Sequence, residues 1–366
     1  MIDDSKQITI EPLSPSPIFV WSGETLFSNL DFIVDGNDVL IVDIDKVIRE
    51  VKSVEKPEEY KEFLRELLEK YKQTGQYTKL LRELYGVKLE FKNVITSGNT
   101  VDQILNINPN IIPASEVKGL IRTAVINELL KSDNKVFNET MKRILDEMNK
   151  SNLKNIGRVA EQVVKVKLPT KTEYDALKTL LISDPIVESA KFGLNEIKIF
   201  NLKGGRLGSI YAITFTGGKL IYEAKIVKPN DYGVYKNSKI KDLDDKIRWD
   251  KIRDSLMNFS KVVIDDETLK INEYMSYNQS NKKDLNKYWE FLKSIKNIKD
   301  CIPLRIGMFT GHVAKTIEVS DNVRISKDIK KKREELLSKF YGKRWDNSTL
   351  KITGGVGLGW MKMCIK

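Results

Sequence analysis

The chain of 366 residues contains one histidine, His312, and two cysteines, Cys301 and Cys364. One histidine cannot build a His-rich zinc centre or the two-histidine acid–base pair of a ribonuclease, and two cysteines are too few for a zinc finger or a disulfide framework. Uninterrupted apolar runs long enough to cross a bilayer are also lacking. The opening Met1-Ile2-Asp3-Asp4 has neither the basic nor the apolar region of a secretory signal. These absences predict a cytoplasmic protein with no membrane partner and no metal or other cofactor.

What the sequence has in excess is positive charge. Lys and Arg number 62 against 51 Asp and Glu, a formal net charge of +11, with an isoelectric point near 9.2. Such a balance favours a polyanionic partner, nucleic acid first. With 41% hydrophobic and 31% charged residues the composition is that of an ordinary globular chain. Its length suits two domains, or one core with large insertions.

Strand and helix signals alternate along the chain, which predicts an α+β fold. Gln7 to Glu11 alternates like a half-buried strand, and Pro12, Pro15 and Pro17 then stiffen the approach to Phe19-Val20-Trp21-Ser22-Gly23. Phe32-Ile33-Val34 and Val39-Leu40-Ile41-Val42 flank Asp35-Gly36-Asn37-Asp38, a hairpin pattern. Pro57 and the helical spacing of Phe63, Leu64, Leu67, Leu68 and Tyr71 predict a mostly helical insert over 45–90. A strong helix starts near Ser115 and buries Val117, Leu120, Ile121, Ala124, Val125 and Leu129, and more helix fills 136–150. Tyr211, Ile213 and Phe215 lead into Gly217-Gly218, read as the turn of a hairpin that returns over Leu220 to Val227. Helices over 244–260 and 281–297, a strand near 304–308 and a last strand at 358–364 complete the pattern. The two halves, 1–165 and 166–366, read as related α+β units, the second with a helical insert at about 244–300.

The most readable segment is Ile111-Ile112-Pro113-Ala114-Ser115-Glu116-Val117-Lys118-Gly119-Leu120-Ile121-Arg122-Thr123. Ser115 is placed to cap the helix, and the free amides at its start would attract phosphate. Lys118 and Arg122, four apart, share a face, and Gly119 clears space for a nucleic-acid backbone or another helix. The alternative is a capped amphipathic helix with two solvated cations. Gly354, Gly355 and Gly357 in the terminal glycine string could bring main-chain amides to phosphate, or merely turn a tight loop. Arg324 to Trp345, where Lys330-Lys331-Lys332-Arg333 precedes Phe340, Tyr341, Lys343, Arg344 and Trp345, mixes cations with aromatics, as in a nucleic-acid contact or a solvated helix face.

The Ile111–Arg122 segment resembles the IPGSSxKGxxR signature of the RAMP superfamily of CRISPR effector proteins. Ser14 to Gly23, Leu30 to Asp35 and Asp43-Ile44-Asp45-Lys46 are similar to the opening of the Csm subunits of type III effectors, most like the one that caps the crRNA 3′ end. Phe19 and Trp21 stand where that family carries His and Gly. Tyr174 to Leu177, Ser183-Asp184, Tyr222-Glu223, Gly307 with Gly311, Lys315-Thr316 and Leu358 to Lys362 follow in the family's order. The resemblance implies two ferredoxin-like (RRM-like) units with helical insertions and a non-catalytic role in crRNA binding and antiviral defence. It also implies crRNA, target RNA in the assembled complex and other Csm/RAMP subunits as partners. RNA contacts would come from Ser22, Gly23, Ser115, Lys118, Gly119, Arg122, Lys315, Gly354, Gly355 and Gly357.

The competing reading is a RAMP-type endoribonuclease or repeating backbone subunit. It would use Asp31, because a loop aspartate near this position cuts RNA with a metal in related backbone subunits, or His312 as an acid–base group. An aspartate at a strand start also caps turns, and the pattern around Asp31 favours that role.

Overall fold

The computed structural model describes residues 5–28, 30–35, 38–43, 62, 65–66, 69, 85–90, 101–150, 158–168, 173–201, 206–227, 238–277, 282–311, 314, 335 and 349–366. Strand β11 (Arg206–Ile226) organises the main sheet. On one side it pairs antiparallel with β10 (Ile186–Phe200), and with the short β9 (Leu180–Ile182) in line with it. On the other side it pairs antiparallel with β1 (Ser5–Pro12) and parallel with β6 (Gln103–Ile107). Beyond β1 lie β15 (Trp360–Ile365) and then β12 (Ile302–Arg305); beyond β10 lie β13 (Leu350–Thr353) and β14 (Val356–Gly357). β2 (Trp21–Phe27) pairs with β6. The α+β expectation holds. The ranges 1–165 and 166–366, read as two units, share this sheet, because β1 and β6 of the first pair directly with β11 of the second.

A smaller sheet joins β3 (Phe32–Asp35), β4 (Asp38–Val42) and β5 (Tyr85–Glu90), and β7 (Lys165–Lys167) pairs with β8 (Glu173–Asp175). The β3–β4 hairpin is as expected. Within the 45–90 insert, residues 62, 65, 66 and 69 are helical, but 85–90 is a strand. Leu89 is buried there with Phe32, Val39, Ile104 and Leu194, so a period-two segment closes what reads as a helical stretch.

Gly217-Gly218 does not turn a hairpin. β11 continues through both residues, which pair with Lys191 and Ala190 of β10, and the register shifts between Lys191 and Phe192. Gly218 has φ 114°, and a Cβ there would lie 2.2 Å from the Ser189 carbonyl oxygen. A bulge inside a long strand selects glycine for the same reason a tight turn does, so the two are alike in sequence. The β10–β11 pairing instead ends at Phe200 and Arg206.

The main helices among the described residues are α1 (Ala114–Ser132), α2 (Asn134–Asn149), α3 (Ser238–Lys246), α4 (Trp249–Tyr277) and α5 (Lys282–Lys296). α1 buries every residue expected of it. Its apolar face and that of α4 meet Ile8, Ile10, Leu220, Tyr222, Ala224, Met361 and Met363, which form the inner face of the sheet. Burying each large aliphatic side chain there contributes about 1.5–3 kcal/mol, so this layer dominates the fold. No helix among the described residues is long and apolar enough to cross a membrane. Cys301 and Cys364, too few for a framework, are joined in one bridge between adjacent strands.

Candidate nucleic-acid interface

The α1 start is built differently from its local sequence pattern. Pro113 occupies the N-cap, with no side-chain cap, and Ser115 lies exposed inside the first turn. The capping role falls to Asp184, which follows β9 and whose carboxylate accepts the Ala114 amide at 3.0 Å. A carboxylate at a helix N-terminus suits the macrodipole. The expected Ser115 cap is therefore replaced by a tertiary one, and the amide nearest an incoming phosphate already has an anion of the chain's own.

Lys118 and Arg122 share a face, as their spacing requires, but that face turns toward residues 175–180. Lys118 Nζ donates to the Leu180 carbonyl at 2.5 Å, and Arg122 Nη2 donates to Asp175 Oδ2 at 2.8 Å. Arg122 Nη1 is buried without a hydrogen-bond partner. Burial lowers the Lys118 pKa, the Arg122 charge lowers it further, and Asp175 acts in the opposite sense. Both cations thus latch α1 to the segment between β8 and β9 instead of extending into solvent. Gly119 differs: it is exposed, and nothing lies within 4 Å of where its Cβ would stand.

The first loop and the approach to α1 form one structure. Trp21 pairs with Ile107 across a bulge that contains Ser22 and Gly23. Ser22 Oγ donates to the Asn106 carbonyl at 3.2 Å and accepts the Glu24 amide at 3.1 Å, while Asn108 N donates to the Val20 carbonyl at 2.7 Å. Gly23, at φ 95°, is open to solvent, and Trp21 is 42% exposed with its indole N–H held by the Glu24 carbonyl. On the other side Met308 N donates to the Phe19 carbonyl at 2.6 Å, and Gly307 leaves no room for a Cβ, which would sit 2.4 Å from that oxygen. Phe19, at the position where the resembled family carries His, is fully buried and stacks on Phe309 at 5.8 Å.

The terminal glycines split. Gly354 is exposed in the β13–β14 turn, whereas Gly355 and Gly357 are buried. A Cβ on Gly355 would meet Lys287 of α5 at 2.9 Å, and one on Gly357 would meet the Tyr288 hydroxyl at 2.2 Å. Those two glycines admit a helix, not a phosphate. Below them Ser16 Oγ donates to the Gly357 carbonyl and accepts the Trp360 amide, tying the first loop to β15.

Asp31 accepts the Phe27 amide through Oδ2 at 2.9 Å, and its carbonyl accepts the Val42 amide. This is the turn-capping role. Among the described residues no group of three or more His, Cys, Asp or Glu is arranged to hold a metal ion. His312, Lys315 and most of the Arg324–Trp345 run lie outside the described residues. Asp175 and Asp184, which organise the α1 surroundings, stand inside sequence landmarks, yet only their contacts reveal that both serve the same helix.

No family model matches the sequence, and neither does any curated protein. Solved structures do match. A chain of the Csm–crRNA–target RNA ternary complex of a type III-A CRISPR-Cas system is similar over 98% of this chain and 100% of its own, with a TM-score of 0.63 and 16% identity. T. onnurineus Csm5 is similar over 97% of this chain and 99% of its own, with a TM-score of 0.61 and 16% identity. The chain has the fold of these two structures. On that fold the first loop, the α1 start and the Gly307 loop are bound to one another, and Ser22, Gly23, Ser115, Gly119 and Gly354 remain at the surface.

Proposed function

We propose that this chain is a non-catalytic RNA-binding subunit of a type III CRISPR ribonucleoprotein, working in the cytoplasm. In this reading it holds the 3′ portion of the crRNA, ends the filament of backbone subunits and supports crRNA maturation and antiviral defence. The observation that carries the reading is the end-to-end likeness to a chain of a Csm–crRNA–target RNA complex, with no part of either chain left over on a large scale. The net charge of +11 supports an RNA partner. The turn-capping engagement of Asp31 supports a role other than catalysis.

Native mass spectrometry of the chain assembled with Csm subunits and crRNA tests it. The expected result is one copy per particle whatever the guide length. Several copies, rising with guide length, would make it a backbone subunit. Incubation of the pure chain with crRNA and complementary RNA, with and without Mg²⁺, should leave both RNAs intact. Cleavage lost in Asp31→Ala or His312→Ala would establish the endoribonuclease instead.

A further inference from the structure

The only two cysteines of the chain are set opposite one another by the fold. Cys301 directly precedes β12, and the antiparallel register that runs from Arg305↔Trp360 to Ile302↔Met363 brings Cys301 to Cys364. Their Cα atoms are 4.6 Å apart, the spacing of a cross-strand pair without ladder hydrogen bonds between its members. Both residues are half-exposed, so a small thiol can reach them.

The strand they clamp is short and peripheral, although all four of its residues are buried and Ser260 Oγ of α4 donates to the Pro303 carbonyl. β12 is four residues long, lies at the edge of the sheet and contains Pro303, which has no N–H to give the ladder. Its far end nevertheless carries important contacts. Arg305 enters a buried ion pair with Glu267, and the loop that follows fastens the first loop through Met308 and Phe19.

We propose that Cys301 and Cys364 are a reversible dithiol–disulfide clamp, and that the order of β12 and of the 306–311 loop depends on its redox state. Oxidation takes two electrons and two protons from the thiols. With oxidised glutathione as acceptor, one cysteine thiolate displaces a glutathione thiol to give a mixed disulfide. The second cysteine then displaces the other, leaving the Cys301–Cys364 bond and two glutathione thiols. A dithiol reductant runs the exchange backwards. Closing a ring of 63-residue separation also restricts the unfolded chain, so the bridged form is the more stable. This inference concerns the fold alone and does not rest on the RNA-binding reading.

The test equilibrates the full chain in glutathione buffers of graded ratio and counts free thiols by mass after alkylation. Thermal unfolding and amide exchange at 302–311 are measured on the same samples. The expected result is one transition from no free thiol to two, with the bridged form melting about 4 °C higher. Amides of β12 should exchange at least ~10-fold faster when reduced. Cys301→Ser and Cys364→Ser should melt with the reduced wild type and lose the redox dependence. Two free thiols at every ratio, a bridge that opens only on unfolding, or identical melting and exchange in both forms would overturn the proposal. The wild-type comparison decides it even where a variant fails to fold.

Discussion

Arg305 Nη1 and Glu267 Oε1 meet at 2.6 Å with both side chains 2% exposed. β12 supplies the cation and α4 the anion. Further hydrogen bonds hold the pair: Arg305 Nε donates to the Leu358 carbonyl at 2.8 Å, and the Tyr288 hydroxyl donates to Glu267 Oε2 at 3.0 Å while accepting the Trp360 indole N–H at 3.0 Å. A buried charge is tolerated only while paired. Glu267→Leu or Arg305→Met alone should therefore cost about 3–5 kcal/mol in urea unfolding. The double variant should cost much less than the sum. Single variants within experimental error of wild type would remove this network from the account of stability.

Gly119 and Gly357 should respond oppositely to the same substitution. Gly119→Ala places a methyl in open space on a helix and should stabilise by about 0.5–1 kcal/mol. Gly357→Ala places one 2.2 Å from the Tyr288 hydroxyl and 2.8 Å from the Arg305 guanidinium, and should cost upward of ~2 kcal/mol. If RNA approaches α1 closely, Gly119→Ala will weaken RNA binding while raising the melting temperature, a split that a filter-binding assay beside calorimetry resolves.

Arg122→Ala should act on folding rather than on RNA affinity. It leaves Asp175, with a side chain only 7% exposed, without its cation, at a cost of about 2–3 kcal/mol. Because Lys118 and Arg122 spend donors inside the chain, the salt dependence of RNA binding should keep its slope in both alanine variants. A slope reduced by about one per cation removed would return them to the phosphate-contacting role.

Alkaline titration offers a separate check. Burial holds the Tyr222 and Tyr288 phenols well above their ordinary value, with the Asp184 charge adding to the effect at Tyr222. The neutral phenols are thus favoured in the fold. Their contribution is fully present below the ordinary phenol pKa of about 10 and is lost as pH rises beyond it. Absorbance at 295 nm should show at least two of the 13 tyrosines ionising only together with unfolding. Tyr288→Phe should flatten the alkaline fall in stability, and an unchanged curve would contradict the assignment.

Periodicity made α1 legible down to its buried residues, and alternation did the same for β1, β3 and β4, because both signals are local. The local hydrogen bond of Asp31 to the Phe27 amide is of the same kind, since its turn lies within a few residues of it. The Gly217-Gly218 bulge was not legible, as the φ > 0 that glycine provides serves bulge and turn alike. Nor was the α1 cap: Asp184 lies 70 positions from the amide it accepts. The charge pattern placed Lys118 and Arg122 on one face but could not say that Leu180 and Asp175 cover that face. The glycine string read as a candidate phosphate cradle because the α5 residues that fill it, Lys287 and Tyr288, belong to a distant part of the chain.

The position of β1 between β11 and β15 has a kinetic consequence. Its residues leave the ribosome well before either lateral partner, the first of which follows some two hundred residues later and the second more than three hundred. At roughly 5–20 residues per second the wait for β15 lasts from about 20 s to more than a minute. Throughout it Ile8 and Ile10 sit on a strand with both edges unpaired. Closure of the sheet must then await β15 and rests on long-range contacts, an arrangement that slows folding and lengthens the exposure of unpaired strand edges.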